Sequence, residues 1–439
     1  MSTPPDPSPA AAAPPPALRL RRANRDQVAP VSAYLDALLP EDHLARLLWQ
    51  TVERLDLSAF SADLKVVEGG PGRAAADPAV LITLWLYATA QAVTSARALE
   101  RLCVEHIAYI WICGGVAMNY HSLSDFRVEH GAALDELMTQ VLGVLHHAGL
   151  VDFDHVAQDG IRVRASAGAA SFRRAPRLEQ SLAQARTLLA ELQATPARPP
   201  DGAAPTKRQA AARQRAARER VERLEAALAE LPSVHAAKPA AKQDEVRVSS
   251  TDPVARVMKM ADGGFRPAYN LQLAADTAER VIVGVAVTNL GSDQQQAVPM
   301  VAQVVERTGE LPDDWLMDGG FVNKAALEQV EAAGPVVYAP VPQPKDPTRE
   351  RYAPLAGDSA RVAAWRSRMG TEAAKAIYRL RAATIECVNA LARARHGLQQ
   401  LRVRGPAKVL CVGLLLAVTH NLLIWLRWQS AQPAGAATS

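Results

Sequence analysis

With 439 residues, 49% of them hydrophobic and 21% charged, the chain has an ordinary globular composition and enough length for two or three domains. The net charge of +4 permits a polyanionic partner without requiring one, but it is unevenly spread: Ser171 to Gln243 holds fourteen Lys/Arg against seven Asp/Glu and is therefore +7, while the remainder is −3. Four scattered cysteines without Cys-x-x-Cys spacing argue against a zinc site and a disulfide framework, and they favour a reduced, cytoplasmic compartment.

The first third of the chain is predicted to be mainly helical. Residues 1–29 are rich in Pro, Ala and Ser and lack an apolar core, which favours a disordered tail over a signal peptide. Residues 30–150 are predicted to form a helical domain, in which Asp77 and Pro78 have the residue types of an N-cap and a first helical position. Further helices are expected over Ala96 to Ile112 and Ser122 to His147.

The character of the chain changes at Val151. Phe153 to Asp159 is short, leans apolar and ends in an acid, as expected of a strand that enters a sheet. The basic stretch follows, with Leu and Val at helical spacing on both sides of a Pro-rich turn, Pro196 to Pro205. We therefore predict a helical hairpin, within 172–243, inserted into a sheet domain.

Strand and helix signals alternate after the insertion. Ala268 to Asp276 and Val281 to Thr288 predict an antiparallel pair of strands. The elements expected next are a helix over Gln295 to Arg307, a strand over Trp315 to Met317, a helix over Lys324 to Ala333, a strand over Val336 to Val341 and a helix over Ala373 to His396. This order predicts an α+β protein with a mixed sheet flanked by helices over 151–428, which is compatible with an RNase H-like fold, and a second tail over 429–439.

One apolar run, Val409 to Leu426, is long enough to span a membrane. Thr419, His420 and Asn421 interrupt it, and polar groups are costly in hydrocarbon. We therefore predict a buried core helix and no membrane partner.

Three acids occupy positions suited to metal binding. Asp159 is expected at the end of the first sheet strand, Asp318 follows a later strand, and Glu386 lies on the late helix. Adjacent strands would bring the first two together. Phosphodiester cleavage or transfer needs stabilisation of the attacking and leaving oxygens, which two divalent ions about 3.5–4 Å apart supply when carboxylates hold them. Taken singly, however, Asp-Gly after a strand is most often a turn.

The late helix offers further candidates. In a regular α-helix one stripe carries Arg379, Ala382, Glu386, Asn389 and Arg393. Tyr378 and Arg381 fall off that stripe.

Several segments together resemble the DDE transposases of bacterial insertion sequences, over about Val31 to Trp425. The segments are Ser95 to Arg101, Ser122 to Arg127, Asp159 to Ala167, Ser250 to Arg256 with Tyr269 to Gln272, Asp318 to Phe321, and Tyr378 with Arg381 ahead of Glu386. The resemblance implies an RNase H-like catalytic domain behind a helical N-terminal transposase domain.

The resemblance also implies an activity, cofactors and partners. Asp159, Asp318 and Glu386 would be the catalytic triad that binds two Mg²⁺ or Mn²⁺ ions for DNA strand cleavage and transfer. The site residues expected to contact DNA are Tyr378, Arg381 and Arg393. The expected partners are double-stranded DNA, as terminal inverted repeats and target, and further copies of the chain assembled on it.

Three positions depart from the family pattern. Arg393 stands where lysine is frequent, Phe321 replaces a tyrosine, and Asn389-Ala390 replaces Phe-Gly. Two alternatives therefore remain, an RNase H-like nuclease without strand transfer and a decayed copy that only binds DNA.

The remaining basic and acidic residues allow two interpretations each. Arg213 and Arg218 of the hairpin suit DNA phosphates, or they belong to a solvated helix laced with glutamates. The N-terminal arginines available for recognising an element end are Arg97, Arg101 and Arg127, although such residues are often ion-paired. Asp293 is expected to cap the helix that follows it.

Overall fold

A computed structural model describes residues 34–62, 75–194 and 207–432. The predicted tail over 1–29 and the Pro196 to Pro205 turn lie outside the described residues. The second tail was predicted to begin at residue 429, but helix continues to Ala431; residues 433–439 lie outside the description.

Seven helices form the N-terminal part of the described chain. They are α1 (Leu44–Val52), α2 (Ser58–Ser61), α3 (Pro78–Ala90), α4 (Ala96–Glu105), α5 (Ile107–Cys113), α6 (Tyr120–Glu129) and α7 (Gly131–His147). The Asp77 carboxylate accepts a hydrogen bond from Ala79 N at 2.8 Å, so the predicted cap of α3 is present. Every residue from Val80 to Ala88 is buried, because other helices surround α3.

A mixed sheet follows the helices. Its strands are β1 (His155–Arg164), β4 (Arg256–Lys259), β5 (Phe265–Asp276), β6 (Ile282–Thr288), β7 (Asp314–Met317) and β8 (Val336–Tyr338). The spatial order is β6-β5-β1-β7-β8, in which β5 runs antiparallel to β1 and β6, while β7 and β8 run parallel to β1. Strand β4 pairs with the beginning of β5 on the β6 side. The predicted α+β class with a mixed sheet is confirmed.

The basic stretch forms the predicted helical hairpin. It consists of β2 (Phe172–Arg173), α8 (Ala175–Ala194), α9 (Lys207–Ala236) and β3 (Val248–Ser249). Leucines and valines of α8 and α9 bury one another in a hydrophobic cluster separate from the main core. An ion pair from Glu230 of α9 to Arg256 of β4 joins the hairpin to the sheet.

Five helices flank the second half of the sheet. They are α10 (Ala297–Thr308), α11 (Lys324–Ala333), α12 (Ala360–Met369), α13 (Glu372–Arg381) and α14 (Cys387–Ala394). Strand β8 is shorter than predicted, because Pro340 follows and proline cannot donate to a ladder. Helix α12 lies between the predicted strand over Val336 to Val341 and the predicted helix over Ala373 to His396, where no helix was predicted.

The last helix, α15 (Pro406–Ala431), lies between the N-terminal helices and the sheet. Among the described residues it is the one helix long and apolar enough to cross a membrane, but 78% of its most apolar window is buried inside the protein. The polar interruption has a structural role: Asn421 Oδ1 accepts from Ile282 N at 2.9 Å, and its Nδ2 donates to Ile282 O at 2.8 Å. His420 Nε2 lies 3.0 Å from Arg280 O. The predicted core helix therefore holds the start of β6.

A buried carboxylate fixes the entry to the sheet. Asp276, at the end of β5, is fully buried and accepts hydrogen bonds from Phe153 N at 3.1 Å and Ala278 N at 2.9 Å. Phe153 has a positive φ of 62°, which a non-glycine residue adopts only when its surroundings hold it. Burial, assisted by the charge of Asp152, raises the pKa of Asp276 to about 7.

Two helical glycines give opposite predictions. A Cβ on Gly143 of α7 would meet nothing within 4 Å, so Gly143→Ala should raise the free energy of unfolding by about 0.5–1 kcal/mol through helix propensity. A Cβ on Gly413 of α15 would lie 2.9 Å from Leu271 Cδ1 and 3.0 Å from Val285 Cγ1. Gly413→Ala should therefore lower the free energy of unfolding by about 1–3 kcal/mol. Urea denaturation measures both, and equal effects would contradict the close packing of α15 on the sheet.

Asp276 should make stability depend on pH. Its pKa is raised in the folded protein, so the stabilising neutral form is present below the unfolded pKa of 3.8 and is lost as pH rises towards 7. Asp276→Asn should lower the free energy of unfolding by an amount that does not depend on pH, because it alters a hydrogen bond. It should also remove a change in that free energy between pH 4 and 7.5 of on the order of 3 kcal/mol. Denaturation at both pH values tests this, and an unchanged slope would contradict it.

Candidate active site

Asp159 lies in the middle of β1 and not at its end, so that expectation was wrong. Strand β5 pairs with β1 before Asp159, at Asp159 and Gly160, and then as far as Arg164. Because this pairing is continuous, the Asp-Gly pair stays extended and does not form a turn. On the other side, β7 pairs with β1 only as far as Gln158. Asp159 is therefore the first residue of β1 beyond the parallel pairing.

Asp318 directly follows β7, as predicted. Its Oδ1 accepts a hydrogen bond from Gly320 N at 2.7 Å, so the carboxylate is held over its own turn. The side chain remains 40% exposed. Phe321, where the family pattern has a tyrosine, is fully buried and packs in the hydrophobic core.

A π-helical turn, Ala382–Glu386, joins α13 to α14. A π turn holds more residues than an α turn, so residues five apart share a face. Arg381 and Glu386 therefore point the same way, although a regular α-helix would separate them. The predicted stripe was correct in grouping Glu386 with Asn389, but it was wrong in leaving Arg381 outside.

Arg381 contacts all three predicted acids. Its guanidinium lies 3.1 Å from Glu386 Oε1, 3.5 Å from Asp159 Oδ2 and 4.0 Å from Asp318 Oδ2. The arginine side chain is only 9% exposed. A strand, a turn and a helix thus bring three carboxylates to one buried positive charge.

Asn389 is a site residue that the sequence did not single out for this role. Its Nδ2 donates to Asp159 Oδ2 at 2.9 Å, and its buried Oδ1 has no hydrogen-bond partner among the described residues. The sequence signal that could have identified Asn389 is its position on the same helical stripe as Glu386.

Burial and charge shift two pKa values in the site. Burial raises the pKa of Asp159 to about 6, against the opposing effects of Arg381 and the Gly160 N–H, and the charges of Asp318 and Asp293 add to the rise. Burial also raises the pKa of Tyr378, and the charges of the three acids act in the same direction. Tyr378 therefore lies within electrostatic reach of the acids.

Among the described residues, the other predicted DNA-contacting arginines form no ion pair with the three acids. Arg393 is exposed and lines a surface pocket of about 280 Å³ with Arg162, Arg164 and Arg266. Arg213 and Arg218 lie exposed on α9.

The glutamates near Arg213 and Arg218 do not neutralise them. Glu219 and Glu225 pair with Arg223 and Arg186. In the described part of the chain neither Arg213 nor Arg218 forms an ion pair, and both side chains are exposed to solvent.

The three N-terminal arginines all contact other residues of the protein. Arg127 is buried, donates to Thr94 O at 2.7 Å and stacks 4.3 Å from the Trp85 ring, so it is a core residue and unavailable to DNA. Arg101 pairs with Glu105, and the guanidinium of Arg97 lies over the ring of Tyr120.

Asp293 does not cap α10, contrary to the prediction. The helix begins at Ala297 without a side-chain cap. The carboxylate instead turns inward and accepts hydrogen bonds from Asn270 Nδ2 at 2.7 Å and Gln272 Nε2 at 2.6 Å on β5.

The donor set suits a hard divalent cation. Among the described residues no three Asp, Glu, His or Cys side chains converge closely enough to hold an ion as they stand, since Arg381 lies among the acids. Asp318 and Glu386 are 40% and 58% exposed, which leaves them room to rotate. Carboxylates with the unpartnered Asn389 Oδ1 provide the oxygen ligands that Mg²⁺ and Mn²⁺ prefer.

Arg381 should stabilise the fold through its three ion pairs. Arg381→Met leaves the acids without their shared positive charge and should lower the free energy of unfolding by about 1–3 kcal/mol, the partial exposure of two acids limiting the effect. Arg379→Met removes an exposed arginine two residues earlier and should change it by less than about 0.5 kcal/mol. Urea denaturation at pH 7.5 without divalent ions measures both. Similar losses would show that Arg381 contributes no more than a surface charge.

Two family models match the chain, and both describe transposases. Residues 33–129, which include α1 to α6, match a transposase domain (DUF772). Residues 353–424, which include Arg381, Glu386 and Asn389, match a transposase DDE domain. No curated protein and no solved structure matches. The two matches, with a helical N-terminal part ahead of a mixed-sheet domain, support a DDE-type transposase of insertion sequences.

Proposed function

We propose that the protein catalyses metal-dependent cleavage of DNA strands and joins the cut ends to target DNA, so that an insertion sequence moves. The observation that carries the proposal is the convergence of Asp159, Asp318 and Glu386 on the single guanidinium of Arg381. Two of these acids, Asp318 and Glu386, are 40% and 58% exposed, so the cluster is accessible from solvent. The sheet with its helix-borne third acid fits an RNase H-like catalytic domain.

The three acids would hold two divalent ions, Mg²⁺ or Mn²⁺, which stabilise charge on the attacking and leaving oxygens when bound. The chain itself supplies position. Asn389 orients the Asp159 carboxylate through its 2.9 Å hydrogen bond. Arg381 is buried at the centre and stabilises negative charge that develops on a phosphate there. Tyr378 offers a hydroxyl to the same phosphate, and burial raises the pKa of that hydroxyl.

Double-stranded DNA is the proposed partner. Exposed Arg213 and Arg218 on α9 provide positive charge on the insertion, and Arg393 provides it beside β1. Each phosphate contact releases counterions, so binding should weaken steeply with salt. We further propose that copies of the chain assemble on the terminal inverted repeats, in the bacterial cytoplasm.

Replacing any acid of the triad should abolish cleavage. We expect Asp159→Asn, Asp318→Asn and Glu386→Gln each to lower the rate at least about 100-fold, because each removes a metal-binding carboxylate. The matched control is Glu372→Gln, an 80% exposed acid on α13, which should retain wild-type rate. The assay incubates purified protein and Mn²⁺ with labelled DNA carrying the element ends and a supercoiled target plasmid.

The products of that assay separate the alternatives. Joined product supports transposition, whereas cleavage without joining would make the protein an RNase H-like nuclease. Retention of DNA in a gel without any cleavage, with or without metal, would leave a DNA-binding copy. Full cleavage by Asp159→Asn would overturn the assignment of the triad.

A further inference from the structure

A fourth carboxylate lies close to the site on the opposite face of β1. Asp293 belongs to the connection between β6 and α10, yet its side chain is only 12% exposed. Alternate residues of a strand face opposite sides, so Gly160 faces Asp293 while its neighbour Asp159 faces Asn389.

Side chains from the two central strands hold the Asp293 carboxylate. Its Oδ1 accepts the hydrogen bonds from Asn270 and Gln272 of β5. Its Oδ2 lies 3.7 Å from the guanidinium of Arg162 on β1, a loose pairing for a buried acid.

Gly160 allows this approach. A Cβ at Gly160 would lie 2.5 Å from Gln272 Nε2, 2.6 Å from Asn270 Oδ1 and closer still to Asp293 Oδ1. Asn270 is 1% exposed, and its Oδ1, which faces the same place, has no partner among the described residues. The cluster therefore presents a buried, unpartnered oxygen beside the backbone of Asp159.

Asp293 also approaches the second acid. A Cβ at Gly320 would lie 3.7 Å from Asp293 Oδ2 and 2.9 Å from Asp318 Oδ1, so both carboxylates lie next to Gly320. A neutral amide would fill the same hydrogen-bonding place at lower electrostatic cost, which indicates that the charge itself has a use.

We propose that Asp293 is a fourth carboxylate of the centre, a positioning residue that supports Asp159 from behind the strand and increases the affinity of the site for a divalent cation. The inference rests on the proposed metal-dependent function.

Mn²⁺ binding to the DNA-free protein, followed by the EPR signal of free Mn²⁺, tests the inference. Asp293→Asn keeps the shape and an oxygen for the two amide donors, so a purely structural role predicts unchanged affinity. We expect instead at least a tenfold rise in Kd, with a melting temperature close to that of wild type. Asp262→Asn is the matched control, because it removes one charge from a 60% exposed acid and should change Kd less than twofold. Wild-type affinity in Asp293→Asn would overturn the proposal.

A second variant covers the outcome that Asp293→Asn fails to fold. Arg162→Gln removes the counter-charge of Asp293 and leaves every acid in place, so Mn²⁺ should bind at least twofold more tightly. Unchanged or weaker binding in that variant would overturn the proposal.

Asp159→Asn separates this inference from the proposed function. If Asp159→Asn binds Mn²⁺ as wild type does, the metal centre itself fails. If it loses binding while Asp293→Asn keeps it, only the role of Asp293 fails.

Discussion

The burial of α15 is the constraint on which the rest of the structure depends. The helix contacts α3, α6 and α7 on one side and β6 on another, so the N-terminal helices and the sheet share one hydrophobic core. Asn421 pairs both backbone groups of Ile282, which would otherwise be buried without partners. Because β6 pairs with β5 and β5 with β1, the position of Asp159 within the core is set through this helix.

The site itself is organised by charge more than by apolar packing. Arg381 is buried among three acids from three elements, and the surrounding amides of Asn389, Asn270 and Gln272 orient carboxylates without neutralising them. A centre of this kind retains excess negative charge, which a divalent cation complements. The apolar core fixes the strands, and the polar shell then fixes the acids to within hydrogen-bond distances.

Periodicity and turn residues predicted most of the fold, including the hairpin insertion, the antiparallel pair β5–β6 and the burial of α15. They could not predict that β1 continues through Asp159-Gly160, since local turn preference was overridden by pairing with β5 over 100 residues later. They also missed the inward turn of Asp293, which depends on space left by Gly160 across the sheet. Arg381 was named through family resemblance alone, because regular helical geometry placed it elsewhere.

The π turn at Ala382–Glu386 accommodates one extra residue of the chain. One residue of an α-helix corresponds to about 100° of rotation, so at the same chain length a regular helix would turn Glu386 about 140° away from Arg381. An in-frame loss of one codon from the turn would instead bring the two residues to a spacing of four, which a regular α-helix places on one face. Related copies of the element that are one residue shorter here should therefore keep the acid beside the arginine with a regular helix, whereas copies of the same length should keep the π turn.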